Sequence, residues 1–245
     1  TGEPNKISQS QTKTHFKMAM QLGFDLPVRT ARGRNDFLVA PSNAMAVAMI
    51  ENWRNCAGGK MVLTGPEGAG KTHLTHVWAD NAQARLIHAN DLRDGDVPKL
   101  AQSSIAVEDV PQISGNSEAQ TALFHLHNMV LAAGYSLLLT GVGAVAHWGL
   151  SLPDLVSRLQ GALEVSIDAP DDALLSAVLV KLLADRQLVP PSDLIPYLLN
   201  RMDRSFIAAN RFVAALDRES LARKRPITRA LAAQVLDKAE TDARY

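Results

Sequence analysis

The run Gly65-Pro66-Glu67-Gly68-Ala69-Gly70-Lys71-Thr72 sets glycines, a lysine and a hydroxyl at the spacing G-x-x-x-x-G-K-[ST]. That spacing suits one chemistry. Glycines let the backbone curl so that several N–H groups point at one phosphate chain. Lys71 supplies charge for the β and γ phosphates, and the Thr72 hydroxyl is a ligand for Mg²⁺. Pro66, Glu67, Gly68, Ala69, Gly70 and His73 complete the set of candidate nucleotide contacts around these two. The flanks support the reading. Lys60 to Thr64 reads as a short buried strand, and Leu74, Val77 and Trp78 carry the i, i+3, i+4 spacing of a helix face. Strand, glycine loop and helix together distinguish a phosphate site from a chance glycine turn.

A phosphate loop of this kind needs an acid at the end of a neighbouring strand, to hold Mg²⁺ and position the attacking water. Ser104-Ile105-Ala106-Val107-Glu108-Asp109 ends an apolar run in two carboxylates. Glu108 and Asp109 are therefore candidate catalytic groups, with Thr72 and Glu108 as metal ligands. The usual order begins with Asp. The longer stem of Glu108 implies shifted metal geometry and slow hydrolysis. Thr140 closes the next apolar run and is a candidate sensor of the γ phosphate; a strand-terminal threonine in a turn before Gly141 is the equal alternative. Arg158, in Leu155-Val156-Ser157-Arg158-Leu159, could stabilise transition-state charge at a neighbouring subunit's ATP. On chemistry alone it reads as a solvated surface arginine.

These groups need a scaffold, and the rest of the chain describes one. Its 245 residues suffice for one large or two modest domains. Lys+Arg and Asp+Glu are both 25, which argues against a generally basic nucleic-acid binder. The single cysteine, Cys56, cannot form an internal disulfide, which fits a reducing, cytoplasmic setting. Met129 to Asp154 lacks charge until its last residue, long enough to raise a membrane span. Gly134, Gly141, Gly143, Gly149 and His147 interrupt it, so a buried strand over Tyr135 to Thr140 explains it better.

Strand and helix signals alternate as far as residue 168. A helix starts at Ser42 or Asn43 as cap and runs to Trp53. Strands follow at Arg85 to His88, Ser104 to Val107 and Leu163 to Ile167, and helices at Glu118 to Ala133 and Pro153 to Leu159. Alternation of this kind implies a mostly parallel sheet covered on both faces. After Asp168-Ala169-Pro170-Asp171-Asp172 only helical signals remain: Ala173 to Gln187, then residues near 193–202, 205–223 and 229–240, the last capped by Thr228. The expected fold class is α/β, a three-layer core with a parallel sheet followed by a small all-helical domain. Its divisions fall at residues 1–30 (a polar, flexible arm), 31–168 (the nucleotide-binding core) and 169–245 (the helical part).

Three segments resemble the bacterial replication initiator DnaA and its relatives, which are P-loop AAA+ ATPases. They are Gly70-Lys71-Thr72-His73-Leu74, Asp36-Phe37-Leu38-Val39-Ala40-Pro41-Ser42-Asn43, and Trp148-Gly149-Leu150-Ser151-Leu152-Pro153-Asp154-Leu155-Val156-Ser157-Arg158-Leu159. The resemblance implies ADP or ATP as cofactor with Mg²⁺, and a helical lid over the nucleotide. It also implies an adenine pocket around Asp36 to Asn43, with Phe37, Val39 and Asn43 as contacts. Arg158 becomes the arginine acting in trans on the ATP of a DnaA subunit. Relatives place a lid arginine against the nucleotide; here Ile207 falls at that position, with Arg204 and Arg211 one turn away on either side. Arg211 is carried as the candidate contact.

The family's initiators continue into a DNA-binding domain, and the sequence ends at Tyr245 without one. That is the pattern of the relatives that inactivate DnaA after replication begins. Gln21-Leu22-Gly23-Phe24-Asp25-Leu26 resembles a peptide that docks on the sliding clamp of DNA polymerase. Gln21 would fix register while Leu22, Phe24 and Leu26 enter an apolar pocket. The implied partners are the clamp and DnaA, with a homo-oligomer and indirect DNA contact compatible and no membrane involvement. The alternatives are a self-sufficient ATPase of the helicase-loader type, and a DnaA-like initiator lacking its DNA-binding domain.

Overall fold

Residues along β3 (Lys60–Thr64) face alternately into two hydrophobic cores, and this decides the architecture. Met61 and Leu63 enter one core with Ala46, Val47, Ile50, Leu74, Val77 and Trp78. Val62 enters the other with Leu123, Leu126, Val130, Trp148, Leu155 and Leu159. Period-two alternation with both sides apolar is the signature of a strand covered by helices on each face. Each fully buried Leu, Ile or Val side chain contributes about 1.5–3 kcal/mol.

The computed structural model describes residues 29–30, 38–93 and 95–242. A two-residue antiparallel pair, β1 (Arg29–Thr30) and β2 (Leu38–Val39), precedes α1 (Ala44–Glu51). The core then runs β3, α2 (Lys71–Ala82), β4 (Arg85–His88), α3 (Val97–Leu100) and β5 (Ile105–Glu108). It continues through α4 (Ser117–Ala132), β6 (Leu137–Gly141), α5 (Pro153–Gln160) and β7 (Leu163–Ser166). β3 to β7 form one parallel sheet in the order β4-β5-β6-β3-β7. The chain leaves β3 for the far edge and returns beside it, so the carboxyl end of β3 opens on a crevice, the usual place for a ligand in open α/β sheets. From α6 (Asp172–Asp185) onward every described element is helical: α7 (Leu194–Leu199), α8 (Phe206–Arg223) and α9 (Arg229–Asp242). They share a third core that includes Leu175, Leu179, Phe212, Leu216 and Leu231.

The expected class, a layered α/β core followed by helices, is what the chain adopts. Differences are local. The first helix begins at Ala44 and ends at Glu51, and residues 53–55 form a separate 3-10 turn. Asn43 occupies the cap position but turns its side chain the other way. Its Oδ1 accepts the Ala40 N–H at 2.9 Å, and its amide donates to the Leu38 carbonyl at 2.9 Å. The long uncharged stretch divides into the end of α4, β6 and a turn at 145–147, and no described helix is long and apolar enough to cross a membrane. The sequence leaves Asp171 or Asp172 as the cap of the first helix after the sheet; Asp171 takes that place, accepting the Leu174 N–H at 2.8 Å, and the expected cap Thr228 accepts the Leu231 N–H at 3.2 Å.

Gln120 fixes the approach to α5. It is fully buried on α4. Its amide donates to the Ile113 and Ser114 carbonyls at 3.0 and 2.8 Å. Its Oε1 accepts the backbone N–H groups of Ser151 and Leu152 at 2.9 and 3.0 Å. A fully satisfied buried amide of this kind specifies one arrangement, because removing it strands several polar groups at about 1–3 kcal/mol each.

Candidate nucleotide site

The loop between β3 and α2 is wound by three left-handed glycines, Gly65, Gly68 and Gly70. A side chain at Gly65 would strike the Ile167 carbonyl. α2 therefore starts at Lys71 without a side-chain cap, and its first N–H groups are left facing the loop. That is a preformed anion cradle. Lys71 is buried, and its Nζ donates to the Gly65 and Pro66 carbonyls at 2.9 and 2.8 Å. Burial lowers the ammonium's pKa from its usual range; the carboxylates of Asp109, Glu67 and Glu108 oppose that shift. The lysine thus sits within electrostatic reach of both acids that end β5.

Those acids differ in setting. Glu108 is 2% exposed, and its Oε1 is buried with no hydrogen-bond partner among the described residues. A buried carboxylate oxygen without a donor costs free energy, and a hydrated cation would satisfy it. Thr72, exposed at the head of α2, offers the second oxygen. These two residues fit Mg²⁺, though the described residues contain no cluster of three His, Cys, Asp or Glu ligands. Asp109 takes a left-handed φ of 56° and its N–H donates to Thr140 Oγ1 at 3.1 Å. Thr140 is buried at the end of β6 and pairs in register with Leu63. The structure thus brings Lys71, Glu108, Asp109 and Thr140 to the same end of three adjoining strands.

A cavity of about 770 Å³ lies between this loop and the helices that follow the sheet. It is within the range of small-molecule sites. Gly68, Gly70, Lys71, Thr72, His73, Glu67 and Asp109 line one side. Leu174, Val178 and Leu182 line another at i, i+4, i+8 on α6, joined by Leu38. This apolar wall suits a base, and the charged loop suits its phosphates. Val39 and Asn43 are buried behind Leu38, and they position it rather than line the cavity. Pro66, Ala69, Glu108, Thr140 and Arg158 are not among the lining residues. Phe37 and the segment Gln21, Leu22, Phe24, Leu26 lie outside the described residues.

The third wall is the start of α8. Phe206 N–H donates to the Gly68 carbonyl at 2.9 Å, and Ser205 Oγ accepts from Ile207 and Ala208 at 3.2 and 3.3 Å. The first N–H groups of α8 are thereby engaged within the protein, so this end meets the cavity through Phe206, Ile207 and Asn210. Arg211 is exposed and outside the lining; Arg204 pairs with Asp172 at 2.8 Å. Sequence reasoning singled out Ile207 as a missing arginine and did not see its neighbours as lining. Only the stripe on α6 had a readable signal, its spacing.

The contact between α8 and the loop predicts an effect. A methyl at Gly68 would collide with Ser205 Oγ while holding a φ of 71° that disfavours side chains. Gly68→Ala is expected to destabilise by about 1–3 kcal/mol, lowering the melting temperature by about 2–4 °C per kcal/mol. Calorimetry checks this; a melting curve superimposable on the parent's would mean that α8 is not seated on the loop.

Comparison with known proteins places this arrangement. No family model matches the sequence. Domain III of the Thermotoga maritima replication initiation protein DnaA is similar, at 18% identity and a TM-score of 0.70, over 82% of this chain and 94% of that one. DnaA from Aquifex aeolicus, solved bound to AMPPCP, is similar at 19% identity and a TM-score of 0.64, over 85% of this chain and 68% of its own. The Thermotoga maritima RuvB Holliday junction branch migration motor is similar at 15% identity and 0.61, over 80% and 66%. The chain spans about two thirds of these longer proteins. What it shares with them is the fold: a parallel-sheet α/β core followed by a helical part, as in domain III of DnaA.

Proposed function

We propose that the chain is an adenine-nucleotide-binding AAA+ regulator of replication initiation, most like Hda, which tethers to the polymerase sliding clamp and promotes ATP hydrolysis by DnaA. The observation that carries this reading is the separation of two features along one strand. The phosphate loop lies at the carboxyl end of β3, while Arg158 is exposed beside its amino end. An arginine so placed serves a neighbour's nucleotide and leaves the chain's own untouched.

In this reading ADP or ATP occupies the cavity, with Lys71 and the start of α2 on the phosphates and Leu38, Leu174, Val178 and Leu182 around the base. Mg²⁺, held by Thr72 and Glu108, would offset phosphate charge. Arg158 faces the γ phosphate of a DnaA subunit, where water attacks phosphorus and the bond to the ADP oxygen breaks. Residues 21–26 supply the clamp peptide. Two or three buried apolar side chains there, at about 1.5–3 kcal/mol each, less the ordering of the arm, give weak docking per arm, multiplied on a multi-site ring. The place of action is the cytoplasm.

A second reading, a self-sufficient motor or loader ATPase, is favoured by the orphan oxygen of Glu108 and by the likeness to RuvB. One reconstitution separates the two. Radiolabelled DnaA–ATP, clamp loaded on DNA and this protein are mixed, and hydrolysis on each subunit is followed. The first reading expects DnaA's ATP to disappear faster, with strong dependence on the clamp. Triple replacement of Gln21, Leu22 and Phe24 by Ala is expected to abolish clamp retention while the melting curve stays unchanged. Equal stimulation with and without loaded clamp rejects the tether. Turnover confined to this chain's own ATP supports the motor.

A further inference from the structure

Both ends of α5 are tethered, and the tether at its carboxyl end is a side chain from β3. At the amino end Gln120 accepts the Ser151 and Leu152 N–H groups. At the carboxyl end the Ser157 carbonyl takes the Gly161 N–H at 3.2 Å, and the Leu159 carbonyl takes the Ala162 N–H at 3.0 Å. The Arg158 carbonyl between them accepts from Lys60 Nζ at 2.6 Å. Lys60 is the first residue of β3, whose other end continues into the phosphate loop.

We propose that Lys60 is a positioning residue for Arg158: it caps the last turn of α5, fixing the direction in which the guanidinium leaves the protein toward a neighbouring subunit. This rests on the trans reading of Arg158 given above. Three observations support it. A cation at a helix carboxyl end complements the exposed carbonyls and the helix dipole. Burial lowers the Lys60 pKa and the Arg158 charge adds to the effect, so the two cations lie within electrostatic reach of one another. And neither Lys60 nor Arg158 has a carboxylate partner among the described residues, so no internal anion holds the guanidinium back. The neighbouring imidazole, His127 on α4, is buried, and burial lowers its pKa, with Lys60 and Arg158 adding to the effect. Lys60 is remote from the cavity lining, so its replacement leaves the chain's own nucleotide contacts intact.

The test compares Lys60→Met, Lys60→Arg and Arg158→Ala in the full chain, reading stimulated hydrolysis of DnaA-bound ATP against titrated protein. A misplacement of about 1 Å at a reacting centre costs about 10²-fold. Lys60→Met is therefore expected to lower the maximal stimulated rate by about 10- to 100-fold, with the half-saturating concentration and the chain's own affinity for fluorescent ADP unchanged. Lys60→Arg, which keeps the donor, is expected to restore most of the rate. Combining Lys60→Met with Arg158→Ala should add no further loss. A Lys60→Met protein as active as the parent overturns the proposal. So does a loss that Lys60→Arg fails to restore, or one accompanied by weaker ADP binding, since that marks general damage. If Arg158→Ala itself stimulates like the parent, the trans reading fails first and this inference falls with it.

Discussion

Arg158→Ala is expected to cut stimulation of DnaA's ATP hydrolysis by about 10³–10⁵, the range over which an arginine supplied in trans accelerates phosphoryl transfer. The same variant should keep its own nucleotide and its docking to the clamp. Arg158 is exposed and lies in the last turn of α5, where Lys60 ties its carbonyl to the first residue of β3. The phosphate loop begins after Thr64, five residues along at about 3.3 Å each. A guanidinium at one end of that rod cannot approach a γ phosphate at the other. On the trans reading its removal is therefore expected to be silent at the local site and costly at the neighbour's. The measurement is single-turnover hydrolysis of labelled DnaA–ATP on clamp-loaded DNA, beside equilibrium titration of the variant with fluorescent ADP. A variant that stimulates like the parent would remove Arg158 from the mechanism. One that loses its own ADP would place the arginine in cis, against the geometry.

The parts of this site legible in the sequence are those whose function is local. The segment from Lys60 to Trp78 declares itself because strand, glycine turn and helix are contiguous, and each residue's place follows from its neighbours. Glu108 and Thr140 were legible for a related reason, as polar residues ending apolar runs that the sheet then aligned. What could not be read depends on contacts between distant segments. Phe206 meets Gly68 across most of the chain, and nothing in Arg204-Ser205-Phe206-Ile207 reveals that its first N–H will reach a loop carbonyl. Asn43 looked like a helix cap because Asn commonly is one; its partners, Ala40 and Leu38, lie on the other side of the turn. Gln120 lies within the helix expected over Glu118 to Ala133, where nothing marks it out, yet it bridges the turn after β5 to the start of α5. Lys60 fell within a run expected to be a short buried strand, and its bond to the Arg158 carbonyl had no local signal. Helical periodicity finds faces, and it does not find the partner a face will meet.

Lys71→Ala is expected to weaken ADP and ATP binding by about 100-fold or more. A hydrogen bond to a charged group is worth about 1.5–3 kcal/mol, and about 1.4 kcal/mol is a factor of ten. On the proposed reading the lysine serves both the β and γ phosphates, in a site where burial strengthens the attraction. Two of its three donors hold the Gly65 and Pro66 carbonyls, so the ammonium is preset in the loop and loses little freedom when a phosphate arrives. Those same bonds mean that Lys71→Ala leaves two loop carbonyls without a donor, and the nucleotide-free variant should melt slightly below the parent. Ligand stabilisation separates the two effects. At nucleotide near 100 times the parent's dissociation constant the parent gains about 2.7 kcal/mol, several degrees for a chain of this size. At that same concentration the variant should gain a small fraction of it. The discriminating quantity is thus the shift on adding nucleotide, measured from each protein's own baseline. An undiminished shift in Lys71→Ala would mean that the glycine loop and the start of α2 hold the phosphates by their backbone alone, and the lysine would have to be reassigned as a brace for the loop.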